Sequence, residues 1–198
     1  MITLNKLSLS YHGQQVLKNC SLQVEPGSRI ALMGPSGCGK TSLINIIAGV
    51  QAPDSGSATV NGRVSYVFQE PALFPWLTAA ENINVVLSDK AETMAEARSW
   101  LDRVALSHCA DKYPHQLSGG QKQRVAICRA LAYGGDVLLL DEPLKGLDPD
   151  TRHRVTALLQ EECRGKTLLL VTHDLAEAQA LCDRVLVYQN GTFAAETL

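Results

Sequence analysis

Gly34-Pro35-Ser36-Gly37-Cys38-Gly39-Lys40-Thr41 is the stretch that most restricts what this chain can become. Its glycines let backbone N–H groups turn inward around an anion. A compact apolar run, Arg29 to Met33, leads into it. After it, Leu43, Ile46, Ile47 and Val50 are apolar at helical spacing and predict a helix over 41–50. Strand, glycine loop and helix in that order are the context in which such a motif holds nucleotide phosphates, a P-loop. The helix start near Lys40 adds a positive dipole end. Lys40 can reach the β- and γ-phosphates of ATP, the Thr41 hydroxyl can ligate Mg²⁺, and Ser42 joins the set. At average residue usage, a string of this form arises in roughly 1% of chains this long. The flanking strand and helix make a chance match rarer still. Cys38 lies in a loop that works through its backbone, so its thiol is expected to be incidental.

A second glycine-rich turn, Leu117-Ser118-Gly119-Gly120-Gln121, opens another helix. Ser118 offers a hydroxyl, and Gly119 and Gly120 offer bare N–H groups, again suited to phosphate. One nucleotide needs only the first turn. A second in the same domain implies that two copies meet, each completing the other's site.

The 198 residues suit one substantial domain, and 45% hydrophobic content allows a well-buried core. A net charge of −2 leaves no electrostatic footprint for nucleic acid. The six cysteines form no CxxC pair and no His cluster joins them at metal-ligand spacing, which reads as a reducing cytosol. Apolar runs such as Val137 to Leu140 are far below the roughly 20 residues of a membrane-crossing helix. The N-terminal residues lack a signal peptide's apolar core. Work at a membrane would require a partner that holds the chain there.

The order of elements predicts an α/β fold. Residues 2–25 alternate apolar and polar and read as short antiparallel strands with one wet face. Ser65 to Phe68 is another short strand, ending at Gln69. From Glu70 to about Tyr133 the signals are helical: Met94, Ala97, Leu101 and Val104 recur at helical spacing, and Gly119 to Tyr133 runs from a Ser118 cap to Gly134-Gly135. Then Val137 to Leu140 and Thr167 to Thr172 are continuous apolar strands, as when both faces are covered. Helices are expected over 150–164 and 174–182, and an Asn190-Gly191 turn closes a terminal hairpin. The chain thus reads as a single domain. Its α/β core, with a mixed, mainly parallel sheet and an antiparallel β subdomain, covers 1–69 and 134–198. An inserted helical subdomain covers about 70–133.

Further candidate site residues stand at strand ends. Asp141 and Glu142 close the strand Val137 to Leu140. Asp141 can hold Mg²⁺, and Glu142 can accept a hydrogen bond from an attacking water as general base. A side-chain carbonyl at Gln69 can reach the metal or the water. His173 follows Thr172 and can hydrogen-bond the γ-phosphate. The other four histidines read as surface or structural.

These motifs, in this order, resemble the ATP-binding cassette (ABC) ATPases, the nucleotide-binding subunits of ABC transporters. The resemblance spans essentially the whole chain. It pairs the P-loop at 34–41 with a Q-loop at Gln69, a signature at Leu117 to Gln121, a Walker B strand ending in Asp141-Glu142, a D-loop ending in Leu147-Asp148, and a switch His173. It implies a head-to-tail homodimer with two ATP molecules between P-loop and signature, which agrees with the two phosphate turns. It also implies that Tyr11, upstream of the P-loop, stacks on adenine, and that Asp148 joins the nucleotide site. The D-loop departs from the common Ser-Ala-Leu-Asp: here it is Lys145-Gly146-Leu147-Asp148, which bears on contacts across the dimer.

The separate subunit, without fused membrane helices, resembles those of bacterial importers, and is expected to lack the C-terminal regulatory domain that some carry. Phe68-Gln69-Glu70-Pro71-Ala72-Leu73-Phe74-Pro75-Trp76 is similar to the subgroup serving nitrate, sulfonate and taurine importers. The resemblance implies integral membrane permease partners, indirectly a substrate-binding protein, and a place on the cytoplasmic face of the inner membrane. Leu73, Phe74 and Trp76 can line the groove for a permease helix or pack the subdomain. The alternative is a soluble ABC-type ATPase of translation or DNA repair. Such proteins usually carry two cassettes or long coiled-coil insertions, and this chain has neither. A non-hydrolysing regulatory cassette is disfavoured by the presence of Glu142 and His173.

Overall fold

The computed structural model describes residues 1–88, 90–189 and 192–196. The first half runs β1 (Ile2–Tyr11), β2 (Gln14–Val24), β3 (Arg29–Met33), α1 (Lys40–Ile47), β4 (Ser55–Val60), β5 (Val64–Val67), α2 (Ala79–Leu87) and α3 (Met94–Arg103). The second runs α4 (Gly119–Ala132), β6 (Val137–Asp141), α5 (Pro149–Glu162), β7 (Thr167–Val171), α6 (Leu175–Leu181), β8 (Arg184–Gln189) and β9 (Thr192–Glu196). The residues form two compact units: an α/β unit of 1–66, 136–142 and 163–198, and a helical unit of 67–135 and 143–162. The helical unit is larger than the stretch about 70–133 read from sequence, because α5 packs with it.

The α/β unit contains two sheets. A three-stranded antiparallel sheet has the order β2-β1-β4. In β1 the buried residues are Ile2, Leu4, Leu7 and Leu9. That set changes phase between Leu4 and Leu7, where the pairing with β2 shifts register and Lys6 takes φ +47°. An extra residue in one strand is what returns both halves to the same face. Gly56 faces this bulge with φ +85°, and a Cβ there would overlap the Asn5 and Lys6 carbonyl oxygens. The strands exceed the short ones expected, and β4 was not foreseen. Ser-Gly-Ser-Ala-Thr-Val has little strand character of its own, and it is extended because β1 pairs with it.

The second sheet has the order β5-β6-β7-β3-β8-β9. Its pairings β6/β7, β7/β3 and β3/β8 are parallel. The hairpin β8/β9 is antiparallel, as expected, while its Asn190-Gly191 turn lies outside the described residues. All residues of β6 and β7 are buried, which explains their unbroken apolar sequence. Each fully buried Leu contributes roughly 1.5–3 kcal/mol relative to exposure. The register decides the rest: Leu32, Val171 and Asp141 lie in one row across β3, β7 and β6. The loops after these strands therefore leave from the same sheet edge, where α/β folds place their ligands.

Helix α1 ends at Ile47, earlier than expected, with Gly49 at φ +74° just beyond. Val50 is consequently not part of the apolar helix face, and it is 61% exposed.

In the helical unit, capping follows the sequence closely. Thr78 and Glu81 form a capping box on α2, and Ser118 and Gln121 form one on α4. Helix α4 ends as read, with Gly134 at φ +69°. Leu101 and Val104 are fully buried, Val104 as the residue that closes α3. Arg103 lies 4.6 Å above the Trp100 ring and bonds Glu162 (2.6 Å) and Glu161 (3.0 Å), tying α3 to α5. Asp148 accepts the Thr151 N–H at 3.0 Å and so caps α5, which holds its carboxyl below the usual carboxylate range.

Candidate functional site

The P-loop leaves β3 at Met33 and enters α1 at Lys40. Three glycines in it take positive φ: Gly34 (+145°), Gly37 (+77°) and Gly39 (+102°). Gly39 is pressed against β2, where a Cβ would come within 2.6 Å of Val16 Cγ1 and 2.9 Å of Leu17 Cδ2. At Gly34 a Cβ would overlap the Tyr188 carbonyl oxygen, whereas Gly37 faces open space. Two glycines thus seat the loop on its sheets, and the third leaves it bare toward solvent. Gly34→Ala is expected to lower Tm by roughly 2–12 °C, from an overpacking cost of about 1–3 kcal/mol, and to remove nucleotide binding. Thermal unfolding with and without ATP measures both.

Lys40 turns back over the loop. Its ammonium donates to the Gly34 carbonyl (2.8 Å) and the Pro35 carbonyl (2.9 Å). It also lies 3.8 Å from Cys38 Sγ. The Cys38 thiol is therefore a neighbour of the Lys40 ammonium and lines a cavity, which its sequence position did not reveal. That cavity, about 290 Å³, is bounded by Gln14, Gln15, Val16, Gly37, Cys38 and Tyr188. Its β2 residues were missed in the sequence, because no local motif marks a strand that meets the loop only in three dimensions. Tyr188 donates toward Val16 O (3.5 Å) beneath it, and burial, with the 3.0 Å contact to Cys20, pushes its hydroxyl pKa up.

Tyr11 ends β1 and is 43% exposed. Gln51 Nε2 donates to its hydroxyl at 2.6 Å, and Ser42 Oγ lies 3.3 Å away. The ring is thus anchored by its oxygen beside the start of α1. Thr41 is exposed and Ser42 half-buried in the first turn of that helix.

Asp141 is 1% exposed at the end of β6. Burial, and then the nearby Asp141 charge, raise the pKa of Tyr66, whose hydroxyl donates to Asn45 at 2.7 Å. Glu142 follows in a left-handed conformation, φ +47°, its N–H held by the Val171 carbonyl at 2.9 Å. Such a conformation costs about 1–3 kcal/mol and persists where surroundings enforce it. It sets Glu142 Oε1 3.4 Å from His173 Nδ1. His173 is exposed, but both neighbours are pinned. Thr172 Oγ1 donates to the buried Glu177 carboxylate (2.7 Å) and accepts the Asp174 N–H (3.0 Å). Asp174 caps α6 through Ala176 N (2.9 Å) and Glu177 N (3.3 Å). Thr172, Asp174 and Glu177 are supports that the sequence reading had not singled out; Asp174 followed by a helix was the available signal.

The other candidates belong to the helical unit. Gln69 follows β5 and is exposed. Ser118 stands at the N-terminus of α4 and accepts the Gln121 N–H at 3.3 Å, while Gln121 Oε1 accepts the Ser118 N–H at 2.9 Å. A Cβ at Gly119 would meet nothing, so this turn presents open backbone, while one at Gly120 would come within 3.3 Å of Leu147. Gly146 has φ +73°, a conformation that glycine takes without strain and alanine does not. The departure from Ser-Ala-Leu-Asp thus suits the backbone this D-loop adopts.

A glycine loop between a central parallel strand and a helix, with an Asp-Glu pair and a histidine on the same edge of the sheet, defines a P-loop ATPase. Residues 17–145 match the ABC transporter family, and the chain belongs to it. The aliphatic sulfonates import ATP-binding protein SsuB of Delftia acidovorans is 43% identical over 199 residues, covering 98% of this chain and 82% of its own. SsuB of Albidiferax ferrireducens is 42% identical over 205 residues, covering 98% and 73%. The nitrate import ATP-binding protein NrtC of Synechococcus elongatus is 44% identical, covering 92% of this chain and 30% of its own. In structure, the chain is similar to the dimeric ATP-binding cassette MJ0796 in a post-hydrolysis state bound to ADP and Pi. That likeness has a TM-score of 0.92 and 31% identity, over 100% of this chain and 99% of that one.

Proposed function

We propose that this chain is the ATP-hydrolysing subunit of an ABC importer for a small oxyanion-bearing solute such as a sulfonate or nitrate, working as a head-to-tail dimer beneath a separate permease. What supports this reading is a glycine loop, Asp141, Glu142 and His173 at one sheet edge and a second open glycine turn at the start of α4, in a chain about 42–43% identical to sulfonate import ATP-binding proteins. Those relatives favour import over a translation or repair ATPase. Among the described residues no helix is long and apolar enough to cross a membrane, which fits peripheral attachment through a permease at the inner membrane's cytoplasmic face. A substrate-binding protein would deliver the solute on the far side. Phe74 (39% exposed) and Trp76 (69%), with half-buried Leu73, offer an apolar patch for a permease helix.

The residues act as follows. P-loop N–H groups and the Lys40 ammonium bind the β- and γ-phosphates of ATP, and the Tyr11 ring is available to stack on the base. Glu142 accepts a proton from water as the water oxygen bonds to the γ-phosphorus and the bond to the ADP oxygen breaks. His173, whose Nδ1 lies 3.4 Å from Glu142 Oε1, hydrogen-bonds the γ-phosphate. Thr41 and the buried Asp141 are hard oxygen donors of the kind Mg²⁺ selects, and they would hold it. When bound, that ion neutralises charge on the β- and γ-oxygens. Ser118, Gly119 and Gly120 of a second copy cap the same γ-phosphate, with Asp148 beside them.

Ser118→Arg tests the shared site. It is expected to leave the ATP affinity of the monomer within about twofold, while removing ATP-driven dimerisation in light scattering, because a bulky cation stands where N–H groups should meet phosphate. Normal dimerisation of this variant would contradict a shared site.

A further inference from the structure

The loop from Pro71 to Leu77 carries Phe74 and Trp76 outward, their rings 5.6 Å apart. Irregular segments with few buried contacts usually open at little cost. This one is held by a buried polar hub. Asn82, on α2, is fully buried and directs its whole side chain to the loop. Its Oδ1 accepts the Phe74 N–H at 2.8 Å. Its Nδ2 donates to the carbonyls of Phe74 (3.2 Å), Leu77 (3.0 Å) and Thr78 (3.0 Å).

Arg129 approaches the same loop from α4. It donates to the Ala72 carbonyl at 2.7 Å and to Asn82 Oδ1 at 3.4 Å. Its guanidinium also lies 5.5 Å from the Phe74 ring centroid, within cation–π range. One planar fork thus touches the loop's backbone, its aromatic ring and its buried anchor. Lysine, a point charge on a flexible stem, cannot make all three contacts. Arg129 stands on the helix that Ser118 caps, eleven residues further on, or about 16 Å at 1.5 Å per residue. A helix of this kind is a rigid element, and its two ends are the phosphate-capping turn and the clamp on the aromatic loop.

We infer that Asn82 and Arg129 are positioning residues that lock the Phe74–Trp76 loop to α4, so that the surface presented to the permease moves with the turn that caps ATP. The clamp stands on its own contacts; the capping of ATP by this turn and the permease contact rest on the function proposed above.

The test uses Trp76 as a reporter in the full subunit. Trp100→Phe leaves Trp76 as the sole tryptophan, since the chain has 2, and Glu142→Gln holds the ATP-bound state. In this background, Mg·ATP should shift Trp76 emission. Arg129→Lys should keep ATP affinity but cut that shift about 5-fold or more, the lower edge of ordinary coupling between sites. With Glu142 restored, Arg129→Lys should reduce ATPase stimulation by the reconstituted permease by about the same factor and leave the unstimulated rate unchanged. Asn82→Ala should act alike; if thermal unfolding shows that it does not fold, Arg129→Lys alone decides. An unshifted Trp76 in the parent, or a full shift in Arg129→Lys, overturns the lock. Loss of the shift with permease stimulation intact instead overturns the permease reading of this loop and leaves the lock standing.

Discussion

Glu142→Gln is expected to bind ATP with wild-type affinity, to hydrolyse it roughly 10²–10⁴ times more slowly, as when a general base is removed, and to accumulate as an ATP-bound dimer. The substitution is nearly isosteric. The backbone that forces residue 142 to φ +47° is held by the bond from its N–H to the Val171 carbonyl, which glutamine keeps. Proton acceptance is what disappears, because an amide oxygen is a far weaker base than a carboxylate. The P-loop and Lys40 are untouched, so affinity should stay. The contact to His173 at 3.4 Å can also survive, since glutamine offers an oxygen at the same place. Loss of rate with His173 still in position would therefore isolate the base from the phosphate contact. Phosphate release and light scattering with Mg·ATP measure the two halves. Turnover near the wild-type rate would remove Glu142 from the role of base.

Lys40→Ala is expected to weaken ATP binding by about 100-fold or more, since charge-assisted hydrogen bonds contribute roughly 1.5–3 kcal/mol each and 1.4 kcal/mol is tenfold in affinity. In this conformation the ammonium donates to the Gly34 and Pro35 carbonyls at 2.8 and 2.9 Å. Those acceptors hold the cation over the loop, ready to exchange carbonyls for phosphate oxygens. Calorimetry of ATP binding decides the main point, and an unchanged affinity would contradict the P-loop assignment. Arg29, which bonds Asp183 elsewhere on the sheet, provides a control position where loss of a cation should leave ATP affinity alone.

Much of the local geometry at the candidate site was readable as text because it depends on near neighbours in the chain. A P-loop needs glycines at fixed spacing, a helix N-terminus needs Ser118 with Gln121 three residues on, and a strand buried on both faces can only be written as Leu138-Leu139-Leu140. Backbone conformation and hydrogen-bond chemistry at these places depend on residues within a turn of each other, so their order along the chain is enough. Packing at a distance left no such mark. That β4 is a strand at all depends on β1 beside it, and Val50 faces water because Gly49 ends its helix. The cavity against β2 and the left-handed Glu142 arise from contacts made after the sheets assemble. The clamp of Asn82 and Arg129, 47 residues apart, arises in the same way. Tertiary contact settled these features because an asparagine in a helix or a valine after one has no preferred neighbour until burial and hydrogen-bond satisfaction supply it.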